Sequence, residues 1–233
     1  MHGLNLDTLK RNKVKLDKRN MDEYTTPDYN HIALITIDVQ NDATLPGALM
    51  EVKGTLEVVP KIVSLLNVFR KTGRRIVHII RLYKQDGSNV DIVRRKWIQS
   101  DVSALRPGTK GADLVDVLKP HDSSLDPELL MNGDVQALAH NEYVIYKPRW
   151  GAFYKTPLEK VLRNNGVNTL VFTGCNFPNC PRTSIYQASE RDFRLIVIRD
   201  ALSGLYDKGI AELINIGCEI MAAQELKDKL ESI

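Results

Sequence analysis

Residues 172–186 read FTGCNFPNCPRTSIY and place two of the chain's three cysteines, Cys175 and Cys180, five positions apart. Such a pair could clip a metal, close a disulfide, pack inertly or present a nucleophile. Zinc would call for more soft ligands, and the five histidines (His2, His31, His78, His121, His140) show no ligand spacing. With Cys218 the cysteines are odd in number, which argues against a disulfide framework and suits a reducing compartment. A buried packing cysteine and a redox-active one remain open beside the nucleophile. Pro181 favours the last: proline fits the first position of a helix, which puts Cys180 at the cap. There the sulfur would meet unpaired N–H groups and the positive end of the helix dipole, both of which favour thiolate.

Two other reactive groups stand at comparable places. HIALITID ends in Asp38 and EYVIYK ends in Lys147. Each alone has a plain reading, the Asp as a turn or cap residue and the Lys as a solvent-facing strand end. Parallel sheets gather the C-terminal ends of their strands on one edge, so the three groups are expected to meet there. A neighbouring ammonium would lower the thiol pKa and a carboxylate could accept its proton, the arrangement for covalent acyl chemistry.

The elements that position these groups alternate. HIALITID, RRIVHIIRLY, EYVIYK, NTLVFTG, RLIVIRD and EIM read as strands. Thr55–Lys71 reads as a helix with Val58, Ile62, Leu65, Leu66 and Phe69 on one stripe and Gly73 as its stop. TPLEKVLRNNG, CPRTSIYQASERDF, DKGIAELINIG and AAQELKDKLESI read as further helices, the first capped by Thr156 with Pro157 at its first position. The pattern predicts an α/β fold, a three-layer α-β-α sandwich with a mainly parallel sheet. Residues 1–27 read as a basic N-terminal arm that could lie across a partner subunit, and 28–233 as one domain. Within it, 84–141 is a long polar connection, a cap or subunit interface, in which DIVRRKWI and GADLVDVLK could form short helices.

Composition narrows the function. The chain has 233 residues, 43% hydrophobic and 26% charged, and a net charge of +3, too mild for a nucleic-acid partner. Its apolar runs are too short to span a bilayer and no secretory leader opens it, so a cytoplasmic protein without membrane contact is expected.

IDVQND around Asp38, YKPRWGAF after Tyr146, and TGCNFPNC followed by a helix and RLIVIRDALSG together resemble the isochorismatase-like cysteine hydrolases, which include nicotinamidase and N-carbamoylsarcosine amidase. The resemblance covers roughly 30–222 and implies a triad of Asp38, Lys147 and Cys180. It also implies an oxyanion hole from the backbone N–H groups of Asn176 and Cys180, and a cis peptide between Cys175 and Asn176. The chain departs from the family's pattern at Ala43, Gly151 and Pro181, and lacks the Asp and His cluster that nicotinamidases use for metal. Hydrolysis of a C–N bond in a small amide or ureido compound is therefore expected, with no cofactor and no metal. A vinyl-ether hydrolase and a redox or binding protein of the same fold are the alternatives. Trp150, Phe153 and Phe177 are candidate pocket residues, and Arg94 and Arg182 could bind a substrate carboxylate. The family likeness also implies a homo-oligomer, dimer or tetramer.

Overall fold

Strand β1 (Ile32–Ile37) is buried at every position, and apolar at all but Thr36, because both of its faces are covered. The computed structural model describes residues 23–121 and 123–233, so most of the basic arm lies outside the described residues. Seven strands form one sheet in the order β3-β4-β2-β1-β5-β6-β7. The others are β2 (Arg75–Ile80), β3 (Gln136–Ala139), β4 (Glu142–Tyr146), β5 (Thr169–Gly174), β6 (Arg194–Leu202) and β7 (Glu219–Met221). All pairings are parallel except β3 with β4. The result is the mainly parallel three-layer α/β sandwich that the alternating pattern predicts.

Side-chain alternation divides the core in two. Leu34, Ile76, Val171 and Ile196 face one way, against Val59, Ile62, Leu65, Leu66 and Phe69 of α2 (Thr55–Lys71) and Leu226 and Leu230 of α8 (Ala223–Glu231). Ile35, Ile37, Val77, Ile79 and Phe172 face the other way. They meet Leu158 and Leu162 of α5 (Leu158–Asn164), Ile185 and Ala188 of α6 (Cys180–Ser189), and Leu213 of α7 (Asp207–Asn215). A fully buried Leu or Ile contributes about 1.5–3 kcal/mol, so these two layers carry the fold.

The connection 84–141 departs from its sequence reading. Its first helix is present as α3 (Ile92–Gln99), but GADLVDVLK gives two 3₁₀ turns, Lys110–Ala112 and Asp116–Leu118, with Leu114 bridged to Gln40 between them. After the short α4 (Pro127–Met131) comes β3, an antiparallel edge strand that the sequence pattern did not reveal. A short helix α1 (Asn41–Thr44) likewise follows β1 unannounced. No helix among the described residues is long and apolar enough to cross a membrane.

Candidate active site

The C-terminal edge of the sheet is pinned one residue beyond each strand. The Asp38 N–H donates to the Ile79 carbonyl at 2.9 Å, Lys147 N–H to the Ile80 carbonyl at 2.9 Å, and Cys175 N–H to the Ile37 carbonyl at 2.8 Å. Asp38 takes a left-handed φ of 53°, a conformation aspartate tolerates better than most residues. Gly174, with φ 114°, passes so near β1 that an added Cβ would lie 2.3 Å from the Ile37 carbonyl oxygen. Only glycine permits that approach, and it aims the following turn at Asp38.

Lys147 Nζ lies 2.8 Å from Asp38 Oδ2, and its side chain is fully buried. Asp38 Oδ1 is buried with no hydrogen-bond partner among the described residues. Cys180, 5% exposed, lies beside the Asp38 carboxylate and is also joined to it by Arg81, whose Nη2 lies 3.5 Å from Sγ and whose Nε lies 3.8 Å from Asp38 Oδ2. Arg81 ends β2 by one residue, the same position that Asp38 and Lys147 occupy on the flanking strands. The strand-end pattern missed it because RRIVHIIRLY reads as one strand running on to Tyr83, whereas the strand stops at Ile80.

Two partners allow Arg81 to be buried. Asp91 Oδ2 accepts from its Nη1 at 2.5 Å, and the Gln40 side chain pairs with its backbone as a strand would, accepting from N–H and donating to the carbonyl, both at 2.8 Å. Its guanidinium lies over Trp150 at 4.9 Å, and Arg94 lies over the same ring at 4.6 Å while donating to the Tyr83 hydroxyl at 2.7 Å. Trp150 and Arg94 thus stand beside the Arg81 side of the site. The other candidates lie elsewhere. Phe153 packs on Phe193, Phe177 is buried against Tyr206, and Arg182 pairs with Glu212 and the Tyr206 hydroxyl.

Three sequence expectations need correction. The helix begins at Cys180 with Asn179 as its cap residue, one position earlier than Pro181 suggested. All described peptide bonds are trans, Cys175–Asn176 included. The turn bends instead at Gly174 and at Asn179, with φ −117° and ψ −98°. Finally, the thiol is not poised as a thiolate. Burial pushes the Cys180 thiol up and the Asp38 carboxylate adds to the push, while Lys147 and Arg81 pull the other way without offsetting it. The two cations are outweighed by burial together with the Asp38 carboxylate.

The backbone N–H groups of Asn176 and Cys180 donate to no carbonyl among the described residues. The RWGAF segment is held against α6 by the Ala152 N–H donating to Ser184 Oγ at 3.0 Å and the Phe153 N–H donating to Gln187 Oε1 at 3.1 Å. Gly151 makes this close fit possible, since a Cβ there would strike the Gln187 amide. Cys175, Cys180 and Cys218 are all free thiols, and no cluster of three or more His, Cys, Asp or Glu among the described residues could hold a metal.

Comparison with known proteins places this geometry. The family model described as the isochorismatase domain matches residues 32–225. A probable inactive nicotinamidase of Arabidopsis thaliana is 30% identical over 208 residues, covering 87% of this chain and 97% of its own. A ureidoacrylate amidohydrolase, RutB, of Methylobacterium radiotolerans is 31% identical over 182 residues, 72% of this chain and 65% of its own. Among solved structures, an isochorismatase family protein of Desulfovibrio vulgaris superposes with a TM-score of 0.72 at 31% identity, over 86% of this chain and 98% of that one.

Proposed function

Since the chain belongs to the isochorismatase family, we propose that it is a cysteine hydrolase cleaving the C–N bond of a small amide or ureido compound through a thioester. The observation that carries this reading is the buried cluster in which Lys147 grips Asp38 Oδ2, Oδ1 has no fixed hydrogen bond, and the carboxylate stands beside a thiol held above its ordinary value. A free carboxylate oxygen next to a raised thiol is what general-base activation requires.

Asp38 Oδ1 takes the thiol proton as Sγ attacks the substrate carbonyl carbon. The resulting oxyanion accepts from the Asn176 and Cys180 backbone N–H groups, each such donor contributing on the order of 3 kcal/mol at the transition state. When the C–N bond breaks, the leaving amine collects the proton from Asp38, and the acyl group remains on sulfur. Water then gives a proton to Asp38, attacks the thioester carbonyl, and the thiol is regenerated as the acid departs. Lys147 keeps Asp38 ionised and oriented through the cycle. The name of the Methylobacterium relative supports a ureido substrate, and that of the Arabidopsis relative supports looking beyond nicotinamide.

The experiment is a screen of small amides and ureido acids with intact-mass detection of the protein. Turnover with a transient acyl mass on Cys180, abolished in Cys180→Ala, is the expected result. Turnover that survives Cys180→Ala would sink the scheme, and turnover of a vinyl ether without any acyl mass would favour the isochorismatase-type reaction.

A further inference from the structure

Arg81 offers more than packing. In a guanidinium, Nε and Nη2 share one edge with two nearly parallel N–H bonds, the edge that grips an anion. Asp91 and the Gln40 amide occupy Nη1 and the backbone, and Trp150 covers a face of the plane. The Nε–Nη2 edge is left facing Asp38 at 3.8 Å and Cys180 Sγ at 3.5 Å. Nε is buried and donates no hydrogen bond among the described residues. Asp38 pairs with this edge only at ion-pair distance and leaves the buried Nε–H without a hydrogen bond, so the edge can take an anion that comes closer.

Resting on the reading of Cys180 as nucleophile, we propose that Arg81 is a fourth catalytic residue, which receives the Cys180 thiolate on its Nε–Nη2 edge when Asp38 removes the proton. The S–H bond breaks, an O–H bond forms on Asp38 Oδ1, and Arg81 stays protonated while it donates to sulfur. Before the transfer the thiol faces Asp38, Lys147 and Arg81, and Asp91 pairs with Arg81 behind them, so two cations meet two carboxylates. Afterwards the charges still sum to zero, because the negative charge has only moved from Asp38 to Sγ. Without Arg81 that moved charge would rest on Lys147 and the helix terminus alone. Arg81 does for sulfur what Lys147 does for the carboxylate. The titratable and charged groups around Sγ are Asp38 after β1, Arg81 after β2, Lys147 after β4 and Cys175 after β5.

The test is the rate of Cys180 alkylation by iodoacetamide against pH, read by peptide mass spectrometry in wild type, Arg81→Gln, Arg81→Lys and Asp91→Asn. Arg81→Gln should move the midpoint upward by about one pH unit or more, a tenfold slower reaction at neutral pH. Arg81→Lys should recover part of that shift. Asp91→Asn removes a negative charge and should move the midpoint downward. Cys175 and Cys218, both buried with thiols pushed up to about 12, report any general loosening by reacting faster. An Arg81→Gln profile that overlays wild type would overturn the proposal. So would an upward shift in Asp91→Asn, which also decides the matter if Arg81→Gln does not fold. Absence of amide turnover would instead remove the hydrolase reading and leave this profile readable.

Discussion

Lys147 Nζ reaches Asp38 Oδ2 at 2.8 Å although their strands are not neighbours, since β2 runs between β4 and β1 and is followed by Arg81. The carboxylate is therefore held between two cations, Arg81 after the adjacent β2 and Lys147 after β4 beyond it. Removing Lys147 leaves a buried carboxylate with one distant partner, a loss of about 3–5 kcal/mol for a broken buried pair. Lys147→Met should lower the melting temperature and cut turnover by about 10²–10⁴. The double variant Asp38→Asn with Lys147→Met removes both charges, so it should regain most of the lost stability and none of the activity. Thermal melts and turnover of the singles and the double decide this. A double variant less stable than Lys147→Met alone would show that the pair is not coupled as described.

The thiol makes its own prediction. With burial and Asp38 holding Cys180 above the ordinary thiol value, the neutral form prevails at pH 7 and the thiolate appears only in the alkaline range. Wild-type alkylation should rise steadily with pH and reach its half-maximum above about 8.5, the value of a free cysteine. A rate already level at pH 7 would mean a standing thiolate, and Asp38 would not be needed as a base for the attack.

The sequence brought Asp38, Lys147 and Cys180 to one edge because each follows an apolar run, and parallel strands align their ends. Thr55–Lys71 and the short strand Glu219–Met221 were legible to the residue, the first from its stripe and the second from its place between helices. Arg81 was not, because its burial depends on Asp91, which lies ten positions on in a polar connection that shows no periodicity. Strand β3 was hidden for a related reason: Gln136–Ala139 is a half-exposed edge strand without apolar alternation. GADLVDVLK reads as one short helix, but Leu114 in its middle pairs with Gln40 and splits it into two 3₁₀ turns. Phe177 and Arg182 sit close to Cys180 in sequence yet contact Tyr206 and Glu212, the first from the turn before α6 and the second from a helix position that projects away from Cys180.

Gly174 separates a steric requirement from a conformational one. Its φ of 114° is unfavourable for any side chain, and a Cβ would also lie 2.3 Å from the Ile37 carbonyl oxygen in the central pair β1–β5. Gly54 has a φ of 85° with nothing near its Cβ position. Gly54→Ala should cost about 1 kcal/mol. Gly174→Ala should cost on the order of 3 kcal/mol or more, and the folded fraction should lose activity because the Cys175–Cys180 turn must shift. Denaturant unfolding of the two variants checks the contrast, and equal losses would remove the steric part of the account.

A second buried polar cluster lies within the sheet, away from the reactive edge. His78 Nε2 meets Glu142 Oε1 at 2.9 Å and its Nδ1 meets Thr36 Oγ1 at 2.7 Å, while Arg70 donates to both Glu142 oxygens at 2.7 and 2.8 Å. Burial alone would push the Glu142 carboxyl up, but the hydrogen bonds and charges of Arg70 and His78 hold it down at about 2, against 4.5 ordinarily. A carboxyl with a lower pKa when folded binds its proton more readily in the unfolded chain. Its stabilisation is therefore complete above pH 4.5 and fades as pH falls toward 2. Glu142→Gln should lower stability at pH 7 by about 3 kcal/mol, because Arg70 and His78 lose a buried partner. The gap between variant and wild type should then close through that acid window. A gap of constant size from pH 7 to pH 2 would mean that Glu142 serves by shape and not by charge.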